Sequence, residues 1–231
     1  MKLTHKIRKL LHPESYTRGW RRFQRRLHPI PLRPLLERLD QTRIRDIETR
    51  YVSSPIQVSK YARVEPWLKT NIERVQDLQL HRSPPREILD LGCGGGFFLY
   101  ICQQLGHRGL GLDLDWFPLY GELIELFGVE RRIAEIKTFE PLPDLGRKFD
   151  WITAFSTGFN RKDDKTLWGP REWDFFLNDL KRHLNPDGHV FIGLNPGQNG
   201  WFYTDELREF FLSRGASVER ERVFFKTLQE L

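Results

Sequence analysis

The sequence is short of the residues on which several classes of protein depend. It holds two cysteines, Cys93 and Cys102, and one methionine in 231 residues. Two thiols cannot make a disulfide framework, and without several nearby histidines they cannot close a four-ligand zinc site. No apolar run approaches the roughly 18–20 residues that a helix needs to cross a bilayer. No H-x-x-x-H or H-E-x-x-H spacing occurs among the seven histidines, so paired imidazoles on one helical face are missing as well. His107 follows Gly106 and reads as part of a surface turn. No continuous apolar core of about 7–15 residues follows the first lysines, which argues against a secretory signal. What is present, 39% hydrophobic and 13% aromatic residues, supports a buried core and excludes disorder along the whole chain.

Acidic residues are scarce at one end. Residues 1–38 carry eleven Lys and Arg against Glu14 and Glu37, a net +9, so the other 193 residues carry −3 of the total +6. Pro13, Pro29, Pro31 and Pro34 limit this arm to short helical pieces. Within it Trp20, Phe23 and Leu27 share one helical face, with most of the arginines elsewhere. Three uses fit that pattern: packing on the protein's own body or a second subunit, lying on an anionic membrane surface, and contacting RNA or DNA phosphates. A mitochondrial presequence fits less well, because the segment is poor in serine and rich in proline.

From about residue 39 the apolar spacing turns helical, with Ile44, Ile47 and Tyr51 three and four apart, until Ser83-Pro84-Pro85 interrupts it. Glu87–Leu91 is then a short apolar run leading straight into Gly92-Cys93-Gly94-Gly95-Gly96, and Phe97, Phe98, Ile101 and Leu105 follow with helical spacing. A strand passing through a glycine loop into a helix opens a βαβ unit. The dinucleotide fingerprint G-x-G-x-x-G fails, because Phe97 stands where its last glycine belongs. Instead the loop reads Asp90-x-Gly92-x-Gly94-x-Gly96. A carboxylate there repels a pyrophosphate and suits an ammonium group. A second strand, Gly109–Asp113, ends in another acid 23 residues on, placed to accept from ribose hydroxyls. An ammonium at one end and a ribose at the other describe S-adenosylmethionine.

ILDLGCGGGFFLY at 88–100 with GLGLD at 109–113 resembles the cofactor-binding core of the class I S-adenosylmethionine-dependent methyltransferases. Further along, Lys148–Phe155 resembles that family's fourth strand, and Leu184–Ile192 its L-x-P-x-G turn into the fifth. Trp173–Leu184 reads as an amphipathic helix, and Ser213–Ala216 as the turn into the closing strands. The resemblance spans about residues 65–231. It implies an α/β fold: a three-layer, doubly wound, mainly parallel seven-stranded sheet, Rossmann-like, with a helical N-terminal extension. The chain divides into a basic arm (1–38), which lies outside the resemblance, a helical region capping the cofactor site (39–82) and the methyltransferase domain (83–231). The resemblance implies cofactor contacts from Asp90, Gly92, Cys93, Gly94, Gly96, Asp113, Leu114, Ile136 and Phe155. The sequence departs from the pattern at the third strand, where Ile136 and Lys137 stand near an expected adenine-binding acid.

In this fold the acceptor approaches over the carboxyl ends of the strands. In the loop after the fourth strand, Asn160 can donate and accept, Trp168 can wall a substrate, and Glu172 is a candidate base. Glu172 also suits the first turn of a helix opened by Pro170. The loop Asn195–Gly200 follows the fifth strand. The pattern FN…WG…EW…FFL…DL resembles a bacterial group of methyltransferase-domain proteins. The expected activity is methyl transfer to a small-molecule, glycan or lipid acceptor, most commonly at oxygen, in a cytoplasmic or membrane-peripheral protein. The alternatives are an RNA methyltransferase using the arm and a non-catalytic S-adenosylmethionine-binding scaffold; a homodimer is a further expectation.

Overall fold

The computed structural model describes residues 13–160, 167–197 and 200–228, and within these the side chains of 13–16, 18 and 160 lie outside the description. Among the described residues five α-helices precede the first strand: α1 (Pro13–Leu27), α2 (Leu32–Glu37), α3 (Gln41–Tyr51), α4 (Ile56–Ala62) and α5 (Val64–Asp77). The arm's prolines fall at or beyond the ends of α1 rather than inside it, so four helical turns fit between Pro13 and Pro29. Asp40 caps α3, its carboxylate accepting from the Thr42 and Arg43 N–H groups at 2.8 and 3.0 Å.

The remainder alternates strand and helix: β1 (Glu87–Leu91), α6 (Phe97–Gln104), β2 (Arg108–Asp113), α7 (Pro118–Phe127), β3 (Arg131–Ile133) and β4 (Phe149–Phe155). Then come α8 (Pro170–His183), β5 (Leu184–Gly193), α9 (Asp205–Ser213), β6 (Ser217–Glu219) and β7 (Arg222–Phe225). They form one seven-stranded sheet in the order β3-β2-β1-β4-β5-β7-β6. β1 to β5 pair in parallel, and β7 runs antiparallel to both its neighbours. This is the mainly parallel, doubly wound sheet that the sequence resemblance implies.

The period-2 alternation of the central strands divides the core into two layers. Ile88 on β1, Trp151 on β4 and Phe191 on β5 face one layer with α2, α3, α5, α6 and α7. Leu89 and Leu91, Ile152 and Ala154, Val190 and Ile192 face the other, with α8 and α9. The N-terminal helices share the first layer outright: Leu35, Ile44, Ile47, Val64 and Leu68 are buried in the same cluster as Phe98 and Ile101. Trp173 and Phe211 anchor the second layer, their rings 5.2 Å apart.

His107 is buried, not on a surface turn. Its Nδ1 accepts from the Arg86 N–H at 3.1 Å, which leaves Nε2 to donate to the Leu80 carbonyl at 3.0 Å. The ring joins the segment before β1 to the start of β2, and burial lowers its pKa.

Candidate cofactor site

The strand order reverses between β1 and β4, which leaves a crevice at their carboxyl ends. A cleft of about 210 Å³ opens there. Its floor is Gly92, Leu112 and Asp113. Leu114, Trp116, Ala134 and Ile136 wall one side, and Thr157, Gly158, Phe159 and Trp168 the other. Gly92, Asp113, Leu114 and Ile136, four of the nine residues implied as cofactor contacts, therefore line one cavity.

The glycine loop is shaped by left-handed backbone. Gly92, Gly94 and Gly96 have φ of 70°, 54° and 80°, a region costly for residues with a Cβ. Gly92 is closely packed as well: a Cβ there would lie 2.7 Å from Thr157 Oγ1, the hydroxyl that donates to the Leu91 carbonyl at 2.9 Å. Asp113, at the end of β2, folds back onto this loop. One carboxylate oxygen accepts from the Gly94 N–H and the other from the Leu114 N–H at 2.6 Å. Burial raises its pKa, and the two backbone donors and Arg131 oppose that rise.

Asp90 lies deeper. It shares the face of Ile88, is buried (3% exposed), and accepts from Thr153 Oγ1 at 2.6 Å. Burial pushes its pKa up to about 7, with the Thr153 hydrogen bond and the nearby Arg74 opposing. Arg74, from α5, lies over the Phe155 ring at 4.6 Å. Phe155 packs against Phe98 and Phe191 in the first core layer, beside Arg74 and on the face of Thr153. Cys93 is buried, with its sulfur where a Cβ on Gly111 would stand. Burial raises the thiol pKa of Cys93 and of Cys102, so neither is an activated nucleophile.

The loop after β4 is held from two sides. Ser156 has a φ of 57°, rare for a residue with a side chain, and its carbonyl accepts from Asn195 Nδ2 at 2.9 Å. Trp168 walls the cleft and also packs on Phe159 and Trp173, with centroids 4.8 and 5.3 Å away. Asn160 closes a short turn, Gly158–Asn160, and its side chain lies outside the described residues. Glu172 turns back onto its own helix, Oε2 accepting from the Gly169 N–H at 2.9 Å. Thr157, Trp116 and Arg74 were not singled out by sequence reasoning; Thr157 alone carried a signal, as the second residue past β4.

The donor set suits S-adenosylmethionine. A carboxylate stands at the ribose position, apolar Leu114, Ile136 and Trp116 offer a slot for a flat base, and the glycines leave room that side chains would fill. Among the described residues no group of three or more His, Cys, Asp or Glu could hold a metal ion.

No family model matches the chain. It is 30% identical over 119 residues to the tRNA U34 carboxymethyltransferase of Campylobacter hominis, a match covering 46% of this chain and 35% of that protein. The chain thus spans about a third of that relative's length. Similar solved structures include the S-adenosylmethionine-bound amino pentose methyltransferase CalS10 of Micromonospora echinaspora, at 25% identity and a TM-score of 0.41, covering 55% of this chain and 50% of that one. Another is a TehB-like S-adenosylmethionine-dependent methyltransferase from Corynebacterium glutamicum, at 19% identity and a TM-score of 0.46, covering 73% and 99%. The chain has a seven-stranded, mainly parallel, Rossmann-like sheet in the order β3-β2-β1-β4-β5-β7-β6.

Proposed function

We propose that the protein is an S-adenosylmethionine-dependent methyltransferase acting on a small-molecule, glycan or lipid acceptor, with oxygen as the acceptor atom. The observation that carries the cofactor reading is Asp113: a carboxylate at the end of β2, aimed at the glycine loop and lining the cleft. Asp113 would bind the ribose hydroxyls, the Gly92–Gly96 backbone would follow the methionine portion, and Leu114, Ile136 and Trp116 would enclose the adenine. When bound, the cofactor supplies an electrophilic methyl on a sulfonium. The chain's own contribution is to orient and to exclude water, with Trp168 and Phe159 forming the wall beside the cleft.

Positioning can supply much of such a displacement. That agrees with the engagement of Glu172 at the helix cap. The segment after β4 reads Ser156-Thr157-Gly158-Phe159 rather than an N-P-P-Y-like tetrapeptide for a flipped base, which favours an acceptor other than a nucleobase. The likeness to a tRNA-modifying enzyme and the basic arm support an RNA acceptor as the second reading. Against it, Arg21 and Arg25 are paired with the protein's own acids.

Calorimetry with S-adenosylhomocysteine tests the cofactor, with binding expected for the parent chain and a loss of at least about tenfold for Asp113→Ala. Undetectable heat with the parent would overturn it. Incubation with labelled cofactor and fractionated cell extract tests the acceptor: label in lipid, glycan or small-molecule fractions supports the first reading, and label in RNA the second.

A further inference from the structure

We propose that the outward face of α1 docks on an anionic membrane surface. The inference does not depend on the proposed activity. It rests on which way this helix faces. Arg21 makes two hydrogen bonds to Glu219, at 2.6 and 2.9 Å, and Arg25 makes two to Asp77, both at 2.8 Å. Gln76 Nε2 donates to the Arg25 and His28 carbonyls at 3.0 and 2.8 Å, fixing the C-terminal end of the helix. The inward side of α1 is thus its arginine side.

The apolar side consequently points out. Trp20, Phe23 and Leu27 are 60%, 50% and 51% exposed, and the first two rings touch, with centroids 5.7 Å apart. Arg22 and Arg26 are exposed on one side of this stripe, Arg26 the nearer, where with Arg21 and Arg25 they line a cavity that also holds Glu73, Asp77 and Glu221. Neither is paired with an acid among the described residues. Residues 15–36 contain six arginines and no Asp or Glu. A helix held by its own body yet presenting Trp, Phe and Leu beside cations has the composition of an interfacial segment, with aromatic and aliphatic groups at the headgroup boundary and arginines on anionic lipid.

Two other occupants fit less well. A second copy of the chain would need a patch of about 800 Å² per partner for a stable interface, and three side chains on one helix supply a fraction of that. The acids that α1 meets, Glu219, Glu73 and Asp77, are already engaged by Arg21, Arg25 and Arg222 of the same molecule. An RNA phosphate backbone would use Arg22 and Arg26 but would leave Leu27 and much of the two rings without a role.

The test is co-sedimentation of the full chain with vesicles of phosphatidylcholine alone, or with about one third phosphatidylglycerol. The anionic vesicles should bind at least about tenfold more tightly, and binding should fall with salt. Arg22→Gln and Arg26→Gln should each weaken it by roughly fivefold. Trp20→Ser with Phe23→Ser should weaken it by tenfold or more, with an unchanged melting temperature. Leu27→Ser serves the same purpose if the double variant does not fold. Equal or absent binding to the two vesicle types overturns the proposal. So does vesicle binding that is indifferent to the apolar variants, which would mean a polyanion contact of the RNA type. A dimer in light scattering that the Trp20→Ser variant abolishes, without vesicle binding, would assign the face to a second copy instead.

Discussion

The hydroxyl of Thr153 donates to the buried carboxylate of Asp90 at 2.6 Å, linking β4 to β1 two residues before the first glycine of the cleft. The hydrogen bond and Arg74 favour the charged form, but burial outweighs both and lifts the pKa from 3.8 to about 7. A carboxyl with a raised folded-state pKa supports stability fully below its unfolded value, near pH 3.8. That support is lost as pH rises through about 7. Asp90→Asn keeps an oxygen for Thr153 and removes the charge. Its melting temperature should match the parent's near pH 4 and exceed it at pH 8, by at most ~4 kcal/mol in stability. Cofactor affinity should fall in the same variant. Denaturant melts at the two pH values check the first expectation, and a parent-like melting curve at pH 8 would contradict it.

Gly92 and Thr157 occupy one space. Gly92→Ala places a Cβ 2.7 Å from Thr157 Oγ1 at a φ of 70°. The backbone term costs roughly 1–2 kcal/mol, and displacing the Thr157 hydroxyl from the Leu91 carbonyl adds about 1 kcal/mol. The expected result is a melting temperature lower by roughly 5–10 °C and a large loss of S-adenosylhomocysteine binding. Adding Thr157→Ala should recover part of the stability, because it relieves the contact and leaves the φ. Full recovery in the double variant would show that the backbone term is negligible.

Much of this arrangement was legible before the structure. β1 and β2 were readable because each is a short apolar run with an acid at or next to its end, Asp90 and Asp113, and the glycine loop because Gly92, Gly94 and Gly96 alternate straight after the first run. What was not legible depends on partners far away in sequence. The spacing of Trp20, Phe23 and Leu27 marks two faces of α1, but Glu219 and Asp77 decide which one turns inward. His107 looked like a turn residue, since its acceptor Leu80 and donor Arg86 lie across a break in the pattern. Phe155 ends β4, and its packing beside Arg74 and the first core layer depends on a helix some 80 residues earlier, which its own strand does not announce.

Glu172 separates a capping role from a basic one. Its carboxylate accepts from the Gly169 N–H at 2.9 Å. Glu172→Gln keeps that acceptor, so stability and turnover should both stay within about threefold of the parent, because a neutral amide can still cap. Glu172→Ala should cost about 0.5–1 kcal/mol in a denaturant melt. A fall of a hundredfold in the glutamine variant's turnover at unchanged stability would instead mark a proton acceptor.

Asp77 holds two arginines at once, accepting from Arg25 Nε and Nη2 and from Arg222 Nη1, all at 2.8 Å. Its side chain is 6% exposed, while those of Arg25 and Arg222 are 24% and 20% exposed. Asp77→Ala would leave two guanidinium groups facing each other across the junction of α1, α5 and β7, with Arg21 nearby. Full burial would make such a loss worth about 3–5 kcal/mol. Partial exposure of the arginines reduces it to ~2 kcal/mol, or a melting temperature lower by roughly 4–8 °C. The damage should be local to the arm. Trypsin, whose sites crowd α1, should cut there at least tenfold faster in Asp77→Ala than in the parent, because opening of a local segment follows its own free energy rather than the global one. Asp77→Asn, which keeps an acceptor for one arginine, should fall between them. Equal cleavage rates in all three chains would mean that the arm is held by something other than this carboxylate.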